Sequence, residues 1–314
     1  MKILIVLIVA MFAVTGCQRH AANTASEPVS ARPMRVVTDD LGRTVQVPTK
    51  LNRVISLAPN LTEMIFAAGG GDRLVGVTTF CNYPAEAEQI AKIGDTLNPN
   101  MESIIALKPD VVFVSTASQV ETFTKTLEKD GIAVYVANAA SLADVFHSMD
   151  EFGIMFDTVE QSQKTVDELK GRVQSVRQTL GTDLLRDESP ADHDKRVGAV
   201  RVFVQISKEP LFTIGKDAFL NDILVSAGGR SVTENVPSSY PKLSKETAFT
   251  LQPEAIILSD STDNTEPNAA FKNSPAVKNG RVYKINADLL SRPGPRLVDA
   301  LEQIVRDLHP EKFN

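Results

Sequence analysis

The chain has 314 residues, 43% of them hydrophobic, with 33 Lys and Arg against 39 Asp and Glu, for a formal net charge of −6. That acidic balance argues against a nucleic-acid partner, which needs a basic face. Two cysteines and no tryptophan rule out a disulfide framework and any indole-lined site.

In chain order, residues 1–16 read as a secretory leader: Lys2, the apolar run ILIVLIVAMFAV, then a small-residue cleavage site. The run falls short of the roughly 20 residues of a comfortable membrane span. VTGC (Val14 to Cys17) resembles the bacterial lipobox, which implies cleavage before Cys17 and a lipid on its sulfur. Loss of Lys2 takes the formal charge from −6 to −7, and a lipid on Cys17 leaves Cys81 unpaired. Residues 17–32 form a polar tether. About 280 residues follow, enough for two lobes with their own cores.

Met34 to Pro48 alternates around Asp-Asp-Leu-Gly and predicts a hairpin. Arg53 to Pro59 reads as a buried strand. Asn60 or Thr62 can cap the next helix, which runs to Ala68 and stops at Gly69-Gly70-Gly71. Strands at 74–80, 111–115 and 134–137 alternate with helices, one capped by Asn100 and one over 120–131. Such alternation predicts a mainly parallel sheet covered on both faces. Apolar spacing from Ser141 to Thr179 predicts long helices, bent at Gly153, with 158–180 crossing between lobes. The charged stretch 182–196 reads as an exposed loop. Strands and helices then resume at Val200 and end in a helix over 295–308. The division expected is a leader (1–16), tether (17–32), N-terminal lobe (33–150), interlobe helix (151–181), loop (182–197) and C-terminal lobe (198–314).

The chain is written twice. LTEMIFAAGG (Leu61 to Gly70) returns as LNDILVSAGG (Leu220 to Gly229), and MESIIALKPDVVFVS (Met101 to Ser115) as KETAFTLQPEAIILS (Lys245 to Ser259). Two similar lobes make a cleft, where small ligands sit. No P-loop, nucleophile elbow or His-Glu-x-x-His motif is present, and the four histidines form no metal-ligand set. The expectation is no catalytic residue and no metal site.

Tyr83-Pro84 and Tyr240-Pro241 hold matching places in the two halves. Each ring suits a locally packed turn; the matched placement favours opposite walls of a cleft around a large, flat, partly polar ligand. Glu102 and Glu246 each follow a cap residue by two positions, where a carboxylate complements the helix dipole. Their recurrence also suits a two-fold symmetric partner that carries basic residues.

RVISLAPNLTEMIFAAG, VGVTTFCNYPAEAEQIAKIG and MESIIALKPDVVF together resemble the solute-binding proteins of ABC importers for cobalamin, ferric siderophores and haem. FCNYP, EPLFTIGK and DLLSRPGPRLVDAL are most similar to the cobalamin branch. The resemblance implies an α/β fold of two Rossmann-like lobes with mainly parallel sheets, joined by a long interlobe helix. It implies a lipid-anchored, extracytoplasmic monomer without cofactor or catalysis that captures a corrinoid. The partner implied is an ABC importer, a permease dimer with its ATPase subunits. By position, Tyr83, Phe212, Tyr240, Asp288 and Arg292 fall at the ligand, and Glu102 and Glu246 at permease arginines. Tyr240, Thr96 and Ser115 stand where a well-known member has tryptophans. The alternatives are a ferric siderophore or haem receptor of the same class and, more remotely, a bilobed cofactor-binding enzyme.

Overall fold

The computed structural model describes residues 32–116, 120–181 and 199–313, so the expectations for the leader, Cys17 and the 182–197 loop lie outside the described residues. Strands β1 (Met34–Thr38) and β2 (Thr44–Pro48) pair antiparallel as the predicted hairpin. The first lobe then runs β3 (Val54–Ser56), α1 (Pro59–Ala67), β4 (Leu74–Val77), α2 (Met101–Ala106), β5 (Val111–Ser115), α3 (Val120–Lys129) and β6 (Ala133–Ala137). Its sheet is parallel throughout, in the order β4-β3-β5-β6. Helices α4 (Leu142–Phe156) and α5 (Val159–Leu180) follow.

The second lobe repeats the plan. It contains β7 (Val200–Ser207), β8 (Phe212–Thr213), α6 (Leu220–Ser226), β9 (Gly229–Ser231), α7 (Lys245–Leu251), β10 (Ala255–Asp260), α8 (Pro275–Lys278), β11 (Val282–Asn286), α9 (Ala287–Ser291) and α10 (Leu297–Leu308). Strands β9, β7, β10 and β11 are parallel neighbours in the positions of β4, β3, β5 and β6. Among the described strands of this sheet, β8 is additional, antiparallel on β7 beyond the end of β9.

Parallel sheets bury both faces, which is why Val111 to Val114 are consecutive apolar residues, all buried. One face of each sheet joins a single continuous core with α1, α4, α5, α6 and α10. The other faces have separate cores, one holding Ile104 of α2 and one holding Ala248 of α7.

The written repeat is also a structural one. Asn100 accepts a hydrogen bond from the Ser103 N–H at 3.0 Å, and Ser244 from the Thr247 N–H at 3.0 Å, so both caps form as predicted. Both helices end through a left-handed residue, Lys108 at φ 47° and Gln252 at φ 44°. Asp110 accepts the Arg53 N–H at 2.9 Å, and Glu254 accepts the Arg201 N–H at 2.9 Å, each tying a strand start to its neighbour. Gly69 and Gly228, equivalent in the first block, both take positive φ (86° and 70°), a conformation that costs glycine little.

Two local expectations change. Neither Asn60 nor Thr62 caps α1: the helix begins at Pro59, whose fixed φ starts it two residues earlier than an Asn60 cap would, without a side-chain cap. The Thr62 hydroxyl instead donates to Ser56 Oγ at 2.8 Å, and the Asn60 amide to the Pro293 carbonyl. Nor does Gly153 bend its helix. α4 runs through it and ends at Asp157, which is left-handed. The missing side chain lets α5 close in, since a Cβ on Gly153 would lie 2.6 Å from Ser162 Cβ.

Helix α5 joins the lobes. At its start Ser162 Oγ donates to the Met149 carbonyl at 2.7 Å, and Thr158 to the Ala68 carbonyl at 2.6 Å. Further along, Arg172 donates to both oxygens of Glu302 and to Asp299 on α10. Val166, Leu169, Val173, Val176 and Leu180 form the buried stripe along the helix.

Candidate ligand-binding cleft

In parallel α/β sheets, ligands bind beyond the carboxyl ends of the strands. A cavity of about 390 Å³ lies there, between the lobes. Ala58 follows β3, Phe80 follows β4, Ser115 ends β5 and Ala137 ends β6, and all four line it from the first lobe. Asp288, Ser291, Arg292 and Pro293, after β11, line it from the second.

Proline shapes that second wall. Pro293 disfavours helix at the residue before it, so α9 stops at Ser291 and Arg292 is extended (φ −117°, ψ 104°). Arg292 is 9% exposed and fully engaged at its tip. Nη1 donates to Glu63 Oε1 at 3.1 Å and Asn82 Oδ1 at 2.8 Å. Nη2 donates to the Phe80 carbonyl at 3.2 Å and pairs with Asp288 Oδ1 at 2.7 Å. Asp288 also accepts from the Asn82 amide at 3.1 Å.

Beneath lies Glu63 of α1, 3% exposed. Arg296 grips both of its oxygens, Nε at 2.9 Å and Nη2 at 2.6 Å. Burial alone would lower the Arg296 guanidinium, but the hydrogen bond and charge of Glu63, with Asp288, hold it above its ordinary value. The same guanidinium lies over the Tyr83 ring, 4.2 Å from its centroid. The result is a cross-lobe network in which each full charge has a partner. The remaining polar groups on the wall are amides and hydroxyls, including Asn60, Thr96, Ser115 and Ser291. Thr116 Oγ1 donates to Asn138 Oδ1 at 2.7 Å on the same wall.

The residues singled out from sequence thus fall in three places. Asp288 and Arg292 line the cavity, and the tryptophan-equivalent positions Thr96 and Ser115 line it as well. Tyr83 lies beside it, 46% exposed, linked through Arg296. Phe212 and Tyr240 do not line it. They sit in adjacent segments of the second lobe, where Phe212 bridges Lys242. Tyr240 keeps 40% of its surface exposed, while partial desolvation pushes its phenol up to about 12 and keeps it neutral.

Glu102 and Glu246 are exposed in the first turns of α2 and α7. Its own backbone N–H and the Ser244 hydroxyl hold the Glu246 carboxyl below the usual range. Each helix leads back into a strand of its parallel sheet. Each therefore starts at the sheet edge where the strands end, the edge that also bears the cleft.

Sequence reasoning passed over Glu63, Arg296, Asn82 and Phe80. A signal existed for Glu63: it is the one charged residue of α1, among apolar neighbours Leu61, Met64 and Ile65, and a buried acid needs a basic partner.

Residues 54–289 match the periplasmic binding protein family, well over half of the chain, and the chain belongs to that family. An ABC transporter substrate-binding lipoprotein of Bacillus subtilis, YvrC, is 29% identical over 98% of this chain and 96% of its own. A vitamin B12-binding protein of Vibrio parahaemolyticus is 28% identical over 81% of this chain and 88% of its own. The crystal structure of the periplasmic vitamin B12 binding protein BtuF of Vibrio cholerae superposes with a TM-score of 0.72 at 26% identity, covering 84% of this chain and 99% of that one. The family is one of extracytoplasmic binding proteins rather than enzymes.

Proposed function

We propose that this protein captures cobalamin or a related corrinoid between its lobes and delivers it to an ABC importer made of a permease dimer and its ATPase subunits. On this reading residues 1–16 are a leader, Cys17 carries a lipid and 17–32 are the tether. Residues 33–150 and 198–314 are the lobes of a monomer.

The observation that carries the ligand class is the charge balance of the cleft. Asp288 and Arg292 are its only charged lining residues among the described residues, and they pair with each other. Around them are amides, hydroxyls and exposed rings, Phe80 on the wall and Tyr83 beside it. A corrinoid is a broad ring edged with neutral amides, and that chemistry matches. The cavity is within the usual range of about 300–1,000 Å³ for small-ligand sites, so a corrinoid would fill it and extend over the rings at its mouth. The vitamin B12-binding relatives support the same reading. The mechanism is capture between lobes, then docking through Glu102 and Glu246 on arginines of the two permease subunits.

The test is spectroscopy and gel filtration of the soluble protein, residues after Cys17, mixed with cobalamin, cobinamide, haem or ferric siderophores. Cobalamin or cobinamide should co-elute in about one-to-one ratio, the stoichiometry of a single interlobe site. Tight haem or siderophore binding without corrinoid retention would assign the alternative ligand.

A further inference from the structure

Four charged side chains meet at the cleft floor: Glu63 and Asp288 against Arg292 and Arg296. Their formal charges cancel. Glu63 is the central member and does not line the cavity. A buried carboxylate is tolerated only when well paired, and here two guanidiniums pair it. Arg292 does face the cavity, but its four terminal N–H groups are all spent, on Glu63, Asn82, the Phe80 carbonyl and Asp288. A ligand anion would have to displace one of them and would meet no net positive charge.

We propose that Glu63 is a specificity-determining residue: by neutralising Arg292 and Arg296 from beneath the cleft, it makes the site accept amide-bearing ligands and turn away carboxylates. The proposal rests on the interlobe cleft being the ligand site. Exclusion of anions follows from the sum of the four charges, so it can be tuned without touching the hydroxyl and amide wall.

The test is a charge series read with three probes: cobalamin, a cobalamin monocarboxylate in which one side-chain amide is hydrolysed, and haem with its two carboxylates. Wild type has a cluster charge of zero. Glu63→Gln and Asp288→Asn each give one net positive charge, Arg296→Gln gives one net negative charge, and Glu63→Gln with Arg296→Gln returns to zero. Relative to wild type, the affinity ratio of monocarboxylate to cobalamin should rise roughly tenfold in the two positive variants, as for one charge several ångströms away at an effective dielectric of about 20–40. It should fall in Arg296→Gln and return to the wild-type value in the double variant. A purely structural role for Glu63 would not yield that recovery. Asp288→Asn, at a more exposed position, supplies the positive arm if Glu63→Gln does not fold.

An unchanged ratio across the folded variants overturns the proposal, as does tight haem binding by wild type. If wild type ignores cobalamin while a positive variant gains haem that wild type rejects, the corrinoid reading falls and the role of Glu63 stands. Haem rejected by every folded variant, with no corrinoid bound by any, overturns both.

Discussion

Glu63 on α1 and Asp222 on α6 hold the same place in the written repeat, and each reaches into the other lobe. Glu63 is buried and gripped by two arginines. Asp222 is exposed and accepts one hydrogen bond, from the Leu142 N–H at the start of α4, at 3.2 Å. Glu102 and Glu246, by contrast, remain equivalent, both exposed behind a working cap. The duplicated chain has kept its two halves alike where they build helix starts and let them diverge where each reaches across to the other lobe. A symmetric partner would see the first pair, and a ligand would feel Glu63 of the second through Arg292.

The largest effect should come from the symmetric pair. Glu102→Lys with Glu246→Lys should abolish uptake in cells with the cognate permease and leave the ligand affinity of the soluble protein near normal. Like charges across an interface are strongly unfavourable, whereas neither carboxylate lines the cleft. Normal uptake would reduce the two glutamates to a duplicated capping habit.

The divergent pair should separate next. Glu63→Ala strands two guanidiniums and should cost about 3–5 kcal/mol of stability. Asp222→Ala removes one part-buried hydrogen bond and should cost about 0.5–1.5 kcal/mol. Chemical denaturation of both variants measures the gap, and equal losses would contradict the comparison.

Tyr83→Ala should weaken corrinoid binding by about 1–3 kcal/mol, the scale of an aromatic contact covered by ligand, whereas Tyr240→Ala, outside the cavity, should leave the affinity near normal. Titration with intact circular dichroism checks this, and equal losses in the two variants, or no loss in Tyr83→Ala, would contradict the placement of the rings.

The smallest effect is one of pH, at the two ends of α5. Hydrogen bonds from neutral hydroxyls hold its start. Its later turns are held by Arg172 on Glu302, whose carboxyl the arginine's hydrogen bond lowers below the ordinary 4.5. A lowered folded value means the stabilisation is present above the unfolded value and is lost as pH falls through the folded one. Below about pH 4.5, hydrogen exchange should therefore quicken first in α10 and the second half of α5. Loosening that begins at Thr158 and Ser162 would count against this asymmetry.

Much of the fold was legible because its signals are local. The caps Asn100 and Ser244, the apolar strands and the repeat itself are read from neighbouring residues. The bend assigned to Gly153 failed because a glycine signals either freedom or close approach, and only the position of Ser162 tells which. The cleft was legible in part. Pro293 points to an irregular backbone at Arg292, but Glu63, the buried partner of that arginine, lies 229 positions earlier. Nothing in the spacing joins Glu63 to Arg292. The resemblance supplied Arg292 with its exposed partner Asp288 and left out Glu63, the buried carboxylate beneath them.

The continuous core beneath both sheets has a thermodynamic consequence. α4, α5 and α10 fill one apolar interior together with residues of both lobes. Neither lobe can melt without baring the other's half of that interior. Heat should therefore unfold residues 33–314 in a single calorimetric peak, with a van't Hoff enthalpy equal to the calorimetric one. Either lobe expressed alone should fail to give a cooperative transition, even though each has its own complete sheet.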